Sequence, residues 1–323
     1  MRIMFAAYAA RIDREEPLNG LELGERPEPD VPPGWMTVDV RAASLNHHDL
    51  WSLRGIGLGE ESLPMILGCD AAGVDADGNE VVLYSVVGQT GHGVGPRERP
   101  SILTEKYQGT FAERVAVPQW NVLPKPPELS FAEAACLPTA WLTAYRMLFT
   151  KAGVRPGDSV LVQGAGGGVA TAAIVLGAAA GLRVFATSRD AAKRARAREL
   201  GAEGVFESGE RLPHRVDAVV ETVGAATWSH SLKSLKPGGT LVLSGATSGP
   251  NPPATELNRI FFLELNVVGA TMGTKEELAG LLSLCAAKGV RPVIDSTLPL
   301  DRAREGFARM AGGSLFGKVV LTV

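Results

Sequence analysis

The chain has 323 residues, 45% of them hydrophobic and 21% charged, with a formal net charge of -3. That is enough length for two domains with full cores, and the composition excludes disordered and fibrous classes. The near-neutral balance excludes a general electrostatic affinity for nucleic acid or an anionic membrane, which leaves small-molecule chemistry favoured.

Met1 to Ala10 is apolar but short and runs into the charged stretch Arg11 to Glu16, which reads as an N-terminal strand and not as a signal peptide. Up to about residue 120, β-rich segments (WMTVDVRAASL, Leu67 to Val74, EVVLYSVVG) alternate with turn signals such as Pro27, Pro29, Pro32, Pro33 and Gly34, the pattern of a compact, partly antiparallel β domain. Residues 88–109 are rich in Gly, Pro and charge, and a loop of that length is more than a plain connection. From Leu129 the character changes. SFAEAACLPTAWLTAYRMLFTKAG has apolar residues at helical spacing, with Ser130 as N-cap and Glu133 three residues on, a capping box.

The most informative stretch follows, VLVQGAGGGVATAAIVLGAAAGLRVFATSRD. Val160 to Gln163 form a short buried strand. Gly164, Gly166, Gly167 and Gly168 then keep side chains away where a pyrophosphate must approach the N–H groups of a helix start. The motif is the loosened form Ala165-x-Gly167-x-x-Ala170, set between a strand and a helix, the context that gives it meaning. About 20 residues on, where an NAD site places a carboxylate against the ribose, this chain has Thr187, Ser188 and Arg189. A hydroxyl, the Arg189 fork and Lys193 one turn later suit the 2′-phosphate of NADP(H). Alternatively, Arg189 and Lys193 belong to a solvated basic face with Arg194, Arg196 and Arg198. Strands and helices go on alternating: Arg183 to Thr187, a helix Asp190 to Leu200, Val216 to Glu221, a helix to Leu235, a Pro-Gly-Gly turn, Thr240 to Ser244, Asn266 to Ala270 and the helical TKEELAGLLSLCAAKG. That order specifies a doubly wound parallel sheet built from two βαβαβ halves. The segment from Arg291 to the strand GKVVLTV is too short for a domain and is expected to return to the first one. No apolar run reaches membrane-spanning length, and the odd, scattered cysteines Cys69, Cys136 and Cys285 fit a reducing cytoplasm.

AACLPTAWLTAYRML, GAGGGVATAA and GTFAERVAVP, with this domain order, resemble the medium-chain dehydrogenase/reductase superfamily over essentially the whole chain. NHHDLWSLRG and ILGCDAAGV are similar to its zinc-independent, quinone oxidoreductase-like branch. The resemblance implies an α/β fold: a GroES-like β-rich catalytic domain, residues 1–128 and 291–323, plus a Rossmann NADP(H)-binding domain, residues 129–290. It aligns Asn46, Cys69 and Ala140 with the catalytic zinc ligands of metal-dependent members, and residues 88–109 hold no cysteine for a structural zinc lobe, so no zinc is expected.

The resemblance also distributes roles. Asn46 stands near the nicotinamide and the substrate carbonyl, or is a turn residue satisfying local backbone. His48, Tyr84 and His92 are acid candidates by residue type only, and a proton from water suffices in this branch. Asp49, Arg54 and Asp70 match a bracing ion-pair pattern. Adjacent His47 and His48, on a strand, would point to opposite faces, which argues against a metal cluster. Trp51 is a pocket-wall candidate or core packing, Tyr84 and His92 are further pocket candidates, and Phe262 borders the nicotinamide or, like Phe261, is core. Further cofactor contacts fall on Thr143, Val169, Val223, Gly224, Ser244, Gly245, Ala246, Met272, Gly273, Gly317 and Lys318. The strand NVVGATMG implies an edge-to-edge homodimer. The expected activity is NADPH-dependent hydride transfer to a quinone or an α,β-unsaturated carbonyl; a metal-free carbonyl reductase and a non-catalytic NADPH-binding protein are the rivals.

Overall fold

The computed structural model describes residues 2–88 and 101–323; residues 89–100 of the expected loop, His92 among them, lie outside the described residues. The chain divides into two compact units, Met1–Thr139 with Thr274–Val323, and Ala140–Gly273.

In the first unit the strand Trp35–Ser44 is central. It pairs antiparallel with Asp70–Asp75, with Arg114–Pro118 and, across the longest span of sequence, with the last strand Lys318–Thr322. That last strand also runs parallel to Ile294–Pro299. A smaller antiparallel sheet joins Ile3–Ala9 to Leu21–Pro27 and Met65–Ile66. Inward-facing Val38, Val40, Leu67, Phe111, Val319 and Leu321 fill the core. The helix Ala303–Ala311 closes it by burying Ala303, Gly306, Phe307 and Met310, one face at i, i+3, i+4, i+7 spacing, with Phe307 edge-on to Phe111 at 6.0 Å between ring centroids.

Asn46, His47 and His48 behave differently from the strand expected of them. The Asn46 N–H donates to Asp49 Oδ2 at 2.8 Å, and this carboxylate in the first turn starts a helix, His47–Leu53, since it satisfies an N-terminal donor that a strand would leave to a neighbour. The two histidines are therefore helical neighbours, His47 exposed and His48 half-buried.

The second unit carries a parallel sheet in the order Gly204–Phe206, Arg183–Thr187, Ser159–Val162, Val216–Glu221, Leu235–Leu243, Asn266–Gly269. In sequence terms this is 3-2-1-4-5-6, the doubly wound order whose switch point lies between the first and fourth strands. The helix Gly168–Ala179 buries Ala170, Ala172, Ala173, Ile174, Leu176 and Gly177; its small residues allow close approach to the sheet. Pro237-Gly238-Gly239, expected as a turn, lies inside Leu235–Leu243, where the register jumps from the Val216–Leu235 pair to Ala218–Thr240 and the extra residues are absorbed as a bulge. Phe261 and Phe262 are 60% and 76% exposed, so they are not core.

Gly317 enters the last strand at φ 109°, and a Cβ there would stand 2.2 Å from the Val293 carbonyl oxygen. Gly317→Ala is expected to destabilise the fold by about 2 kcal/mol, read as a lower urea midpoint at unchanged slope; an unmoved midpoint would contradict this account of the turn.

Candidate functional site

A buried polar cluster in the first unit gathers residues far apart in sequence. Lys318 is 2% exposed, and its ammonium donates to Leu45 O at 2.7 Å, Asn46 Oδ1 at 2.6 Å and Asp70 Oδ2 at 3.3 Å. With three hydrogens and three acceptors it has none left over. Asn46, turned carbonyl-first toward the cation, sends its amide N–H groups to Asp70 Oδ2 at 2.8 Å and to Ser44 O at 3.4 Å, with Cys69 Sγ at 3.6 Å. Asp70 also accepts from the Ser44 hydroxyl at 3.0 Å and the Ser85 hydroxyl at 3.4 Å. Thr139 Oγ1 completes the group, 3.4 Å from both Ser85 Oγ and Cys69 Sγ.

This geometry revises two expectations. The cation bracing Asp70 is Lys318 and not Arg54, which is exposed at the end of its helix. Asn46 is a linchpin whose polar atoms have protein partners, so its amide is held by the fold instead of being reserved for a substrate oxygen. Lys318, similarly, keeps no free N–H for a cofactor. Burial pushes the Asp49 carboxyl up to about 7, although the N–H groups of Asn46 and Gly68 favour its charged form. Burial likewise holds the Cys69 thiol well above its ordinary range.

His48 finds its partners outside this cluster. His48 Nε2 lies 3.3 Å from Ser52 Oγ and 3.7 Å from Glu105 Oε1, and desolvation brings its pKa down to about 4, which makes the ring neutral at pH 7. Tyr84 is fully buried, edge-on to Trp120 at 5.9 Å. Trp51 is half-buried on the helix His47–Leu53.

In the second unit the glycine turn makes a cradle. Gly164 and Gly166 stand at φ 72° and 141°, and a Cβ on Gly167, which precedes the helix Gly168–Ala179, would meet nothing within 4 Å. No side chain caps that helix start, which leaves its first N–H groups without a side-chain acceptor, the arrangement that suits a diphosphate. Ala165 is buried, Gly168 and Val169 half-buried. At the end of the second strand Ser188 is 6% exposed and Arg189 exposed. Arg194 Nη1 donates to Ser188 O at 2.6 Å, a contact absent from the sequence reading, which left Arg194 on the solvated face. The neighbouring acid, Asp190, accepts from Ala192 N and Lys193 N as the N-cap of Ala191–Glu199. Val223 and Gly224 follow the fourth strand, Ser244, Gly245 and Ala246 the fifth, and the two loops are laced by bonds such as Ser248 N to Val223 O at 2.7 Å. Thr143, Met272 and Gly273 are buried.

Comparison with known proteins matches residues 32–127 to the family described as "Alcohol dehydrogenase GroES-like domain" and residues 168–287 to "Zinc-binding dehydrogenase". A solved structure described as an NAD-dependent alcohol dehydrogenase is 34% identical, covers 99% of this chain and 100% of its own, and superposes with a TM-score of 0.90. The quinone oxidoreductase of Mus musculus is 29% identical over 88% of each chain. The acryloyl-coenzyme A reductase of Metallosphaera sedula is 28% identical over 94% of this chain and 96% of its own.

The zinc in the second family's description does not fit these residues. Among the described residues no three His, Cys, Asp or Glu side chains converge on one point. At the aligned positions Ala140 has no donor atom and the Asn46 carbonyl already faces an ammonium, which leaves Cys69 alone where a catalytic zinc needs about three anionic or imidazole ligands. The cluster's own energetics are testable. Lys318→Met strands Asp70 as an unpaired buried charge and is expected to cost about 3–5 kcal/mol in denaturant unfolding, most of it recovered when Asp70→Asn is added; additive losses in the double variant would refute the pairing.

Proposed function

The chain belongs to the medium-chain dehydrogenase/reductase superfamily and is an NAD(P)-dependent oxidoreductase; from that premise we propose that it is a zinc-independent, NADPH-dependent reductase of quinones or α,β-unsaturated carbonyls. The observation that carries the metal-free reading is the Lys318 network, which commits Asn46 and Asp70 to a protein cation. Reduction of a conjugated acceptor needs no Lewis acid on a carbonyl. The quinone oxidoreductase and acryloyl-coenzyme A reductase among the relatives, whose named acceptors both conjugate C=C with C=O, support that acceptor class. A second reading, metal-free reduction of aldehydes or ketones, is favoured by the 34% identity with an alcohol dehydrogenase.

NADPH, when bound, supplies a hydride from its nicotinamide. The uncapped N–H groups at Gly168 and Val169 hold the diphosphate, Ser188, Arg189 and Lys193 hold the 2′-phosphate, and Thr143, Val223, Gly224, Ser244, Gly245, Ala246, Phe262, Met272 and Gly273 complete the contacts. Asp190, next to Arg189, is turned to cap the helix Ala191–Glu199. The proton that completes reduction is assigned to water. The enzyme is cytoplasmic and a homodimer: Val267, on the edge strand Asn266–Gly269, with Leu257 and Phe261, leaves apolar surface exposed, the kind of surface a second copy covers.

A cyclic enone with NADPH tests the reaction class, since one molecule offers both bonds. Mass spectrometry is expected to find the saturated ketone; allylic alcohol would instead establish the carbonyl reductase, and no turnover despite tight binding would point to a non-catalytic role. For cofactor choice, Arg189→Ala is expected to weaken NADPH binding by about 1 kcal/mol or more while leaving NADH unchanged. Equal effects on both would place Arg189 on a solvated face.

A further inference from the structure

Beneath the cofactor cradle lies a second buried polar chain, built on a carboxylate that the proposed reaction does not use. Glu221 ends the fourth strand and is 0% exposed. Its partners are hydrogen-bond donors and not a cation. Oε1 accepts from Val223 N at 2.7 Å and Gly224 N at 3.0 Å; Oε2 accepts from the Thr227 hydroxyl at 2.8 Å and the Ser231 hydroxyl at 2.6 Å. Ser231 in turn accepts from Gln163 Nε2 at 2.9 Å, and Gln163 Oε1 accepts from the Thr187 hydroxyl at 2.6 Å. Thr187 Oγ1 receives Gly164 N at 3.4 Å. Gln163 ends in the glycine turn, and Thr187 immediately precedes Ser188 and Arg189. The chain thus runs without a gap from the end of the second strand, past the first, to the loop after the fourth, crossing the switch point of the sheet.

We propose that Glu221, acting through Ser231 and Gln163, is a positioning residue for the dinucleotide. It fixes the backbone of Val223 and Gly224 against the glycine turn, so that the two walls of the crevice keep one spacing. An isolated buried carboxylate is costly, and four directed donors are the compensation. Those donors are the backbone of the loop that faces the switch point, together with two hydroxyls on the segment behind it. Without the carboxylate, the Val223 and Gly224 N–H groups lose their acceptor and the loop must rearrange. The proposal rests on the cofactor reading above but not on the choice between NADPH and NADH, because the chain touches the backbone on either side of the crevice and not the group that recognises the 2′-phosphate.

The test is titration of NADPH and of NADH by nucleotide fluorescence, well below the thermal midpoint. Glu221→Leu is expected to weaken both at least about tenfold with their ratio unchanged, whereas Glu221→Gln stays within about threefold, since its amide oxygen can keep both backbone N–H groups while Thr227 and Ser231 turn to accept from the amide nitrogen. A folded Glu221→Leu variant that binds both within twofold of the parent would overturn the proposal. If that variant does not fold, Ser231→Ala carries the test: about threefold weaker binding of both dinucleotides is expected, and unchanged binding overturns it. A parent chain that binds neither dinucleotide would remove the cofactor reading and this inference with it; a loss confined to NADPH would assign Glu221 to phosphate recognition and overturn the positioning role.

Discussion

A lysine ammonium with almost no access to water sets the terms for the first unit. Lys318 cannot be solvated, so its charge must be met within the protein by Asp70, by the Asn46 carbonyl and by the Leu45 backbone oxygen. At an effective dielectric near 20, opposite charges 4 Å apart gain about 4 kcal/mol, and the cost of desolvating the two ions is of the same order. The pair therefore adds little net stability. Its effect is on specificity, because any alternative register of the last strand would bury an ammonium without a partner. Three segments are pinned together in this way: the end of Trp35–Ser44, the start of Asp70–Asp75 and the start of Lys318–Thr322.

The second unit solves the opposite problem with the opposite means. Glu221 is an anion answered by oriented dipoles, whereas Lys318 is a cation answered by a carboxylate and two carbonyl oxygens. A dipole-satisfied carboxylate adds no lysine or arginine to the crevice floor. Under the cofactor reading proposed above, with backbone N–H groups, Arg189 and Lys193 meeting the phosphates, a strong cation buried deeper would compete for them. The glycine turn follows the same economy. Its helix start is left uncapped, while the next helix, Ala191–Glu199, is capped by Asp190. The two adjacent helices treat their N-termini in opposite ways, one satisfied by its own chain and the other open.

Much of this was legible in the sequence wherever the signal was local. The strand, glycine turn and small-residue helix after Ser159 announce themselves within thirty residues, and Ser130 and Glu133 form the capping box their spacing implies. Longer-range features were not legible. Asp70 and Lys318 are 248 positions apart, and no periodicity links them; the ion-pair pattern nearer to hand pointed to Arg54. His47 and His48 were misplaced on a strand because the deciding contact is the Asp49 carboxylate, which reaches back to Asn46 and starts a helix. The Pro-Gly-Gly segment keeps its turn chemistry, with Gly238 at φ 75°, as a bulge without ladder partners between the Val216–Leu235 and Ala218–Thr240 pairs. Glu221 could have been suspected: an acid at the end of an apolar strand, followed by Thr, Val and Gly, must find donors close by.

The same networks bear on the metal. Two of the groups a cation would approach, Asn46 and Asp70, touch each other, and each is already committed: the amide carbonyl to Lys318, the carboxylate to Lys318, Asn46, Ser44 and Ser85. A divalent ion placed among them would stand close to a fixed ammonium and would have to displace it or pull Asp70 away from it. Either change takes the Lys318 ammonium from its buried carboxylate. Lys318 thus does two things at once in the metal-free reading: it satisfies the carboxylate that the fold brings to this point, and it opposes by charge the ion named in the description of the chain's own family.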